Sequence, residues 1–135
     1  MNAMKALGTH LLADLRKCNP EKLADIVFAE AAMREAAEKS HATFLGIITH
    51  DFDPGGPGGI TILIGIAESH LSIHTWPEYG YAMIDVLTCG ENMDPEAAVK
   101  HLIIAFESQD PSVSETRRGI INPFVKDLPH KPADS

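Results

Sequence analysis

The chain has 135 residues, of which 44% are hydrophobic and 22% charged. This length suits one domain with its own core, and the composition excludes a disordered chain. The longest apolar run, Ile60 to Ala67, is far short of the roughly 20 residues that span a bilayer. With 11 basic and 19 acidic residues the net charge is -8, which argues against nucleic acid as a partner.

The first segment, Thr9 to Leu15, reads as a strand. Asn19-Pro20-Glu21 is a helix start: a capping Asn, Pro at the first helical position and an acid at the positive end of the dipole. Leu23, Ile26, Val27, Met33 and Ala37 then share a helical face, which predicts one helix ending near Ser40. Ala42 to Thr49 reads as a strand, and Asp53 to Gly59, rich in Pro and Gly, as a loop. Ile60 to Ala67 reads as a buried strand. His70-Leu71-Ser72-Ile73-His74 alternates polar and apolar, placing His70, Ser72 and His74 on one strand face. Trp76 to Gly80 is a turn, and Tyr81 to Thr88 a strand that is apolar on both faces. Asp94-Pro95-Glu96 repeats the cap-and-Pro signal ahead of Val99, Leu102, Ile103 and Phe106 at helical spacing. Ser112 to Thr116 reads as a last strand, and the tail from Pro123 as loose.

Strands joined by short turns favour an antiparallel sheet. With two amphipathic helices on one face this is an α+β fold, a two-layer sandwich, over the single domain 1–135. The uncovered face calls for a second copy of the chain, so a homo-oligomer is expected. Cys18 and Cys89 form no spacing framework and no apolar leader is evident, so both are read as free thiols of a cytoplasmic protein.

Chemistry concentrates in Glu68 to Gly80 and in Thr88-Cys89-Gly90. Taken singly, a strand Ser or His is usually structural, a Cys ending an apolar strand a small hydrophobe, and a Trp-Pro turn packing. A metal site from His50, Asp51, Asp53, His70 and His74 is disfavoured, because the His-x-x-x-His spacing serves metals best on a helix. Nucleophilic catalysis by Ser or Cys with a His base stays weak on spacing alone, since neither the G-x-S-x-G nor the papain-type signature is present.

The block Glu68-Ser69-His70-Leu71-Ser72-Ile73-His74-Thr75-Trp76-Pro77-Glu78, then Asp85 and Thr88-Cys89-Gly90-Glu91, resembles the small prokaryotic S-adenosylmethionine decarboxylases, pyruvoyl-dependent enzymes of spermidine biosynthesis. Gly8-Thr9-His10-Leu11, His50-x-Phe52-x-Pro54 and Asp94-Pro95 extend the resemblance from Met4 to about Phe106; beyond Ser108 no match is evident. The resemblance implies a proenzyme that cuts itself between Glu68 and Ser69 into chains 1–68 and 69–135, leaving a covalent pyruvoyl group at residue 69. It implies His74 as the proton acceptor in processing and Cys89 as the proton donor in catalysis. It also implies Phe52, Trp76 and Glu78 as substrate-binding residues. A dimer of processed protomers is expected, and no residue is assigned to a metal.

The chemistry suits these residue types. Decarboxylating an α-amino acid puts an electron pair on Cα that ordinary side chains cannot absorb, whereas a carbonyl that forms a Schiff base with the amino group can. An aromatic ring can stack on adenine and attract a sulfonium. Three departures from the family stand out. The Gly-rich loop 55–59 is about three residues longer than expected, Thr61 stands where the family often has Ser, and Ala67 stands where Ser is expected. The rivals are a pyruvoyl-dependent arginine or ornithine decarboxylase of the same fold and a binding module that never cleaves itself.

Overall fold

A computed structural model describes residues 5–121. In chain order the elements are β1 (Lys5–Arg16), α1 (Pro20–Ala24), α2 (Ile26–Lys39), β2 (Phe44–Asp51), β3 (Ile60–Ile66), β4 (Ser69–Trp76), a 3-10 turn (Pro77–Tyr79), β5 (Tyr81–Thr88), α3 (Pro95–Ala105) and β6 (Asp110–Ile121). The strands form one six-stranded antiparallel sheet in the order β2-β3-β4-β5-β1-β6. The helices pack on one face, giving the expected α+β two-layer sandwich.

The helix starts follow the predicted capping chemistry. The Asn19 side chain accepts from the Glu21 and Lys22 N–H groups, and Asp94 accepts from Ala97 N–H. The predicted single helix from Pro20 to Ser40 is two helices. Asp25 adopts an extended conformation (φ -92, ψ 101) that ends α1, and its carboxylate accepts from Val27 and Phe28 N–H to start α2. An Asp that can bond backbone N–H groups ahead of it favours a cap over a helix interior.

One strand face is dry. Leu11, Ala13 and Leu15, Ile60, Ile62, Ile64 and Ile66, Leu71 and Ile73, and Ala82, Ile84 and Val86 pack under Leu23, Met33, Ala36, Val99, Leu102 and Phe106. Burying each of the larger side chains is worth about 1.5–3 kcal/mol. Buried Thr75 ties three elements together: its hydroxyl donates to the Leu23 carbonyl at 2.8 Å and accepts from Ile60 N–H at 3.0 Å. Among the described residues, no helix lies over the other face. Ile60–Ala67, expected to be a buried strand, and Tyr81–Thr88, expected to be apolar on both faces, therefore alternate: Leu63 and Met83 are exposed on the open face.

The outer strands are longer than the sequence pattern indicates. β1 runs from Lys5, and β6 extends from Asp110 to Ile121 rather than over Ser112–Thr116. Residues 110 to 120 of β6 are exposed, so no burial alternation marks the strand; pairing with β1 along its length defines it. The tail from Pro123 lies outside the described residues.

Phe106 is fully buried and meets Phe28 edge to face at 5.7 Å between ring centroids. Phe106→Ala is expected to lower stability by about 3–5 kcal/mol in equilibrium denaturation. A loss under about 1 kcal/mol would show that this junction of α2 and α3 does not anchor the core.

Candidate active site

Strand β4 carries Ser69, His74 and Trp76, with Glu68 just before it, and its period of two sorts its side chains. Leu71, Ile73 and Thr75 point into the core, whereas His70, Ser72, His74 and Trp76 alternate with them onto the open face. The register is set on both sides: Thr61↔His74 with β3, and Ser72↔Asp85, His74↔Met83 and Trp76↔Tyr81 with β5.

At the start of β4, Ile66 pairs with Ser69, so Ala67 and Glu68 make the whole turn. His70 pairs with Leu87, which brings the end of β5, and Cys89 after it, alongside Glu68 and Ser69. Two glycines permit the close approach here. A Cβ on Gly8 would lie 2.9 Å from the Cys89 sulfur, and one on Gly90 would lie 3.2 Å from Glu68 Cγ. The Glu68 carboxylate accepts hydrogen bonds from Thr43 N–H and from the Thr43 hydroxyl, each at 3.0 Å.

At the far end of the strand, Phe52, Thr61, His74, Trp76 and Glu78 line a cavity of about 350 Å³. Thr61 Oγ1 and His74 Nδ1 share a hydrogen bond at 2.9 Å. The hydroxyl expected at this position is thus present on Thr61 and engaged. Phe52 is 66% exposed and meets the His50 ring edge to face at 4.5 Å. Beyond Glu78 a larger cleft of about 690 Å³ is bordered by loop 53–58 and by Glu21, Asp25, Asp51 and Asp53, an acidic setting that favours a cation.

Between the two ends lies a polar row that sequence reasoning did not assemble. His10 Nε2–H donates to Asp85 Oδ1 at 3.0 Å, and Ser72 Oγ–H donates to Asp85 Oδ2 at 3.2 Å. The His10 ring also stands edge-on to His70, with centroids 6.3 Å apart. Near Trp76, the Tyr81 hydroxyl is pushed above its ordinary pKa, chiefly by its hydrogen bond to Asp14.

The candidates therefore form two groups. Glu68, Ser69 and Cys89 share one end of β4, while His74, Trp76, Glu78 and Phe52 share the other. Ser69 and His74 are five positions apart, about 16 Å along an extended strand, so within one chain they do not meet. Among the described residues, no group of three or more His, Cys, Asp or Glu side chains is arranged to hold a metal ion.

The sequence profile of S-adenosylmethionine decarboxylase matches residues 9–119. The chain belongs to the S-adenosylmethionine decarboxylase family. It is 50% identical over 128 residues to the S-adenosylmethionine decarboxylase proenzyme of Thermodesulfovibrio yellowstonii, covering 95% of this chain and 93% of that one. It is 44% identical over 132 residues to the proenzyme of the same name from Thermotoga maritima, covering 96% and 99%. The crystal structure of adenosylmethionine decarboxylase from Aquifex aeolicus superposes with a TM-score of 0.81 at 30% identity, covering 91% of this chain and 99% of that one. The family match reaches residue 119 and so takes in most of β6, past the Ser108 limit set by the motifs.

The two thiols occupy different surroundings. Cys18 is buried, and burial pushes its pKa up, against a smaller opposing effect of a hydrogen bond with Ser108. It stays a protonated thiol at neutral pH, whereas Cys89 is half-exposed. Iodoacetamide on the native protein at neutral pH is expected to label Cys89 well before Cys18, with peptide mass mapping as the readout. Labelling of Cys18 first would contradict this arrangement.

Proposed function

We propose that this chain is a self-processing, pyruvoyl-dependent carboxy-lyase that acts on S-adenosylmethionine in the cytoplasm, with its sites shared between two copies of the chain. The observation that carries the reading is the meeting of Glu68 and Ser69, in and just after a two-residue turn, with Cys89 on the adjoining strand end. A turn peptide is open to attack, and Ser69 supplies the hydroxyl.

In processing, Ser69 Oγ attacks the Glu68 carbonyl carbon. The C–N bond breaks, the nitrogen gains a proton, and the amide becomes an ester. A base then removes the Ser69 α-proton. β-Elimination expels the Glu68 carboxylate, and hydrolysis of the dehydroalanine releases ammonia and leaves a pyruvoyl group. This group supplies the electron sink that amino-acid decarboxylation needs. When CO2 leaves, the substrate α-carbon must gain a proton, and Cys89 is assigned to donate it as a general acid.

His74 is assigned as the processing base, with Thr61 orienting its ring. Because Ser69 and His74 lie apart along β4, His74 of the partner subunit is assigned to serve Ser69. The open face, with Leu12, Leu63 and Met83 exposed around the His10–Asp85–Ser72 row, offers the surface for a two-fold contact. The partner subunit then also brings the recognition groups, since these share an end with His74. Phe52 and Trp76 offer aromatic faces to the adenine or the sulfonium. Glu78 offers a carboxylate to the ribose hydroxyls.

Purified wild-type protein is expected to show masses for 1–68 and 69–135, and Ser69→Ala a single chain. Co-expression of Ser69→Ala with His74→Ala tests the sharing: hybrid dimers should cut the His74→Ala chain although neither variant cuts alone. An uncut hybrid would mean that each chain processes itself. A single intact wild-type mass under all conditions would leave the binding-module reading.

Substrate choice is tested at Glu78. A hydrogen bond to a charged group is worth about 1.5–3 kcal/mol, so Glu78→Gln should lower kcat/KM for S-adenosylmethionine about 10-fold or more. Cleavage at Ser69 should be largely unaffected. A wild-type preference for arginine or ornithine would overturn the nucleoside assignment.

A further inference from the structure

The peptide assigned for cleavage is gripped by a residue outside the hairpin that contains it. Ala67 and Glu68 form the entire β3–β4 turn, and neither has the positive φ that lets two-residue hairpin turns match the strand twist. The hold comes from Thr43, just before β2. Its carbonyl accepts from Ala67 N–H at 2.9 Å, while its own N–H and hydroxyl donate to the two Glu68 carboxylate oxygens at 3.0 Å each. On another side Glu68 is bounded by Gly90, where even a methyl group would crowd Cγ.

Thr43 is exposed, but the chain that leads to it is fixed. After α2 the chain makes a left-handed cap at His41 (φ 64), with His41 N–H donating to the Glu38 carbonyl and Ala42 N–H to the Ala37 carbonyl. Asp94 N–H donates to the Ser40 carbonyl at 2.9 Å, which ties this cap to the residue that starts α3. The same short connection before α3 carries Cys89 and Gly90. Thr43 thus links the turn to two helix ends.

We infer that Thr43 is a positioning residue for self-cleavage, holding residues 67 and 68 so that the Glu68 carbonyl faces the Ser69 hydroxyl. The inference rests on the cleavage site proposed above. An attacking oxygen must meet the carbonyl carbon at about 3–3.5 Å and along a narrow line. Fixing the Ala67 N–H and the Glu68 side chain on either side of the Glu68 backbone nitrogen restricts the motion that would carry the carbonyl off that line. Thr43 takes no proton and forms no bond in the reaction.

The test follows full-length protein, made by pulse-labelled cell-free synthesis, as it converts to 1–68 and 69–135. Thr43→Val keeps the shape and removes the hydroxyl. It should slow cleavage about 10-fold or more, because small misplacements are costly in such reactions. Thr43→Ser should restore the rate. Turnover of S-adenosylmethionine per cleaved chain should stay within about twofold of wild type, since Thr43 acts before the cofactor exists. A role in stability alone would lower the unfolding midpoint and leave the cleavage rate intact.

Cleavage of Thr43→Val at the wild-type rate overturns the inference, as does failure of Thr43→Ser to restore it. If Thr43→Val does not fold, Glu68→Met keeps the length of the side chain and removes both acceptors, so it reads the same grip from the other partner: slow cleavage supports the inference and wild-type cleavage overturns it. A wild-type chain that never cleaves overturns the cleavage site itself, and the inference with it.

Discussion

The side-chain alternation of β4 is the constraint on which the rest of the structure depends. Its register with β3 and β5 sends Leu71, Ile73 and Thr75 beneath the helices and leaves His70, Ser72, His74 and Trp76 on the open face. A slip of one residue would bury the imidazoles and expose the apolar set. The slip is opposed from both sides. The core under Met33, Leu102 and Phe106 needs the aliphatic residues, and the Thr75 hydroxyl is committed to Leu23 and Ile60.

A rigid eight-residue strand also separates what it carries. The group that would form the new carbonyl stands at one end, and the groups that would recognise substrate and take a proton stand at the other. No side-chain motion spans that distance, because an extended strand in the middle of a sheet cannot shorten. In the proposed dimer a two-fold axis near the middle of the open face overcomes the separation, and the two sites form together. One short chain then supplies, through symmetry, both walls of each site.

The His10–Asp85–Ser72 row sits where such a contact would form. Polar groups covered without partners cost free energy, whereas these are already bonded to one another within the protomer. A second copy could cover them without stranding a carboxylate. The exposed Leu12, Leu63 and Met83 supply apolar area around the row.

Much was legible in the sequence because it is local. Asn19-Pro20 and Asp94-Pro95 start helices through side chains a few residues from the N–H groups they cap, the Pro and Gly of residues 53–59 forbid regular structure, and the alternation of 70–74 follows from strand geometry. The run from Glu68 to Glu78 was enough to indicate the family. What the sequence by itself could not determine depends on contacts between distant positions. β6 is a strand because β1 lies beside it, and none of its residues from 110 to 120 is buried enough to signal it. His10 finds Asp85 across 75 positions, and Thr43 finds Glu68 across 25. Ser69 and His74 share one motif in sequence, yet the tertiary structure holds them at opposite ends of a strand. Neighbourhood along the chain and neighbourhood in space diverge once the backbone is fully extended, and only the folded sheet decides which residues meet.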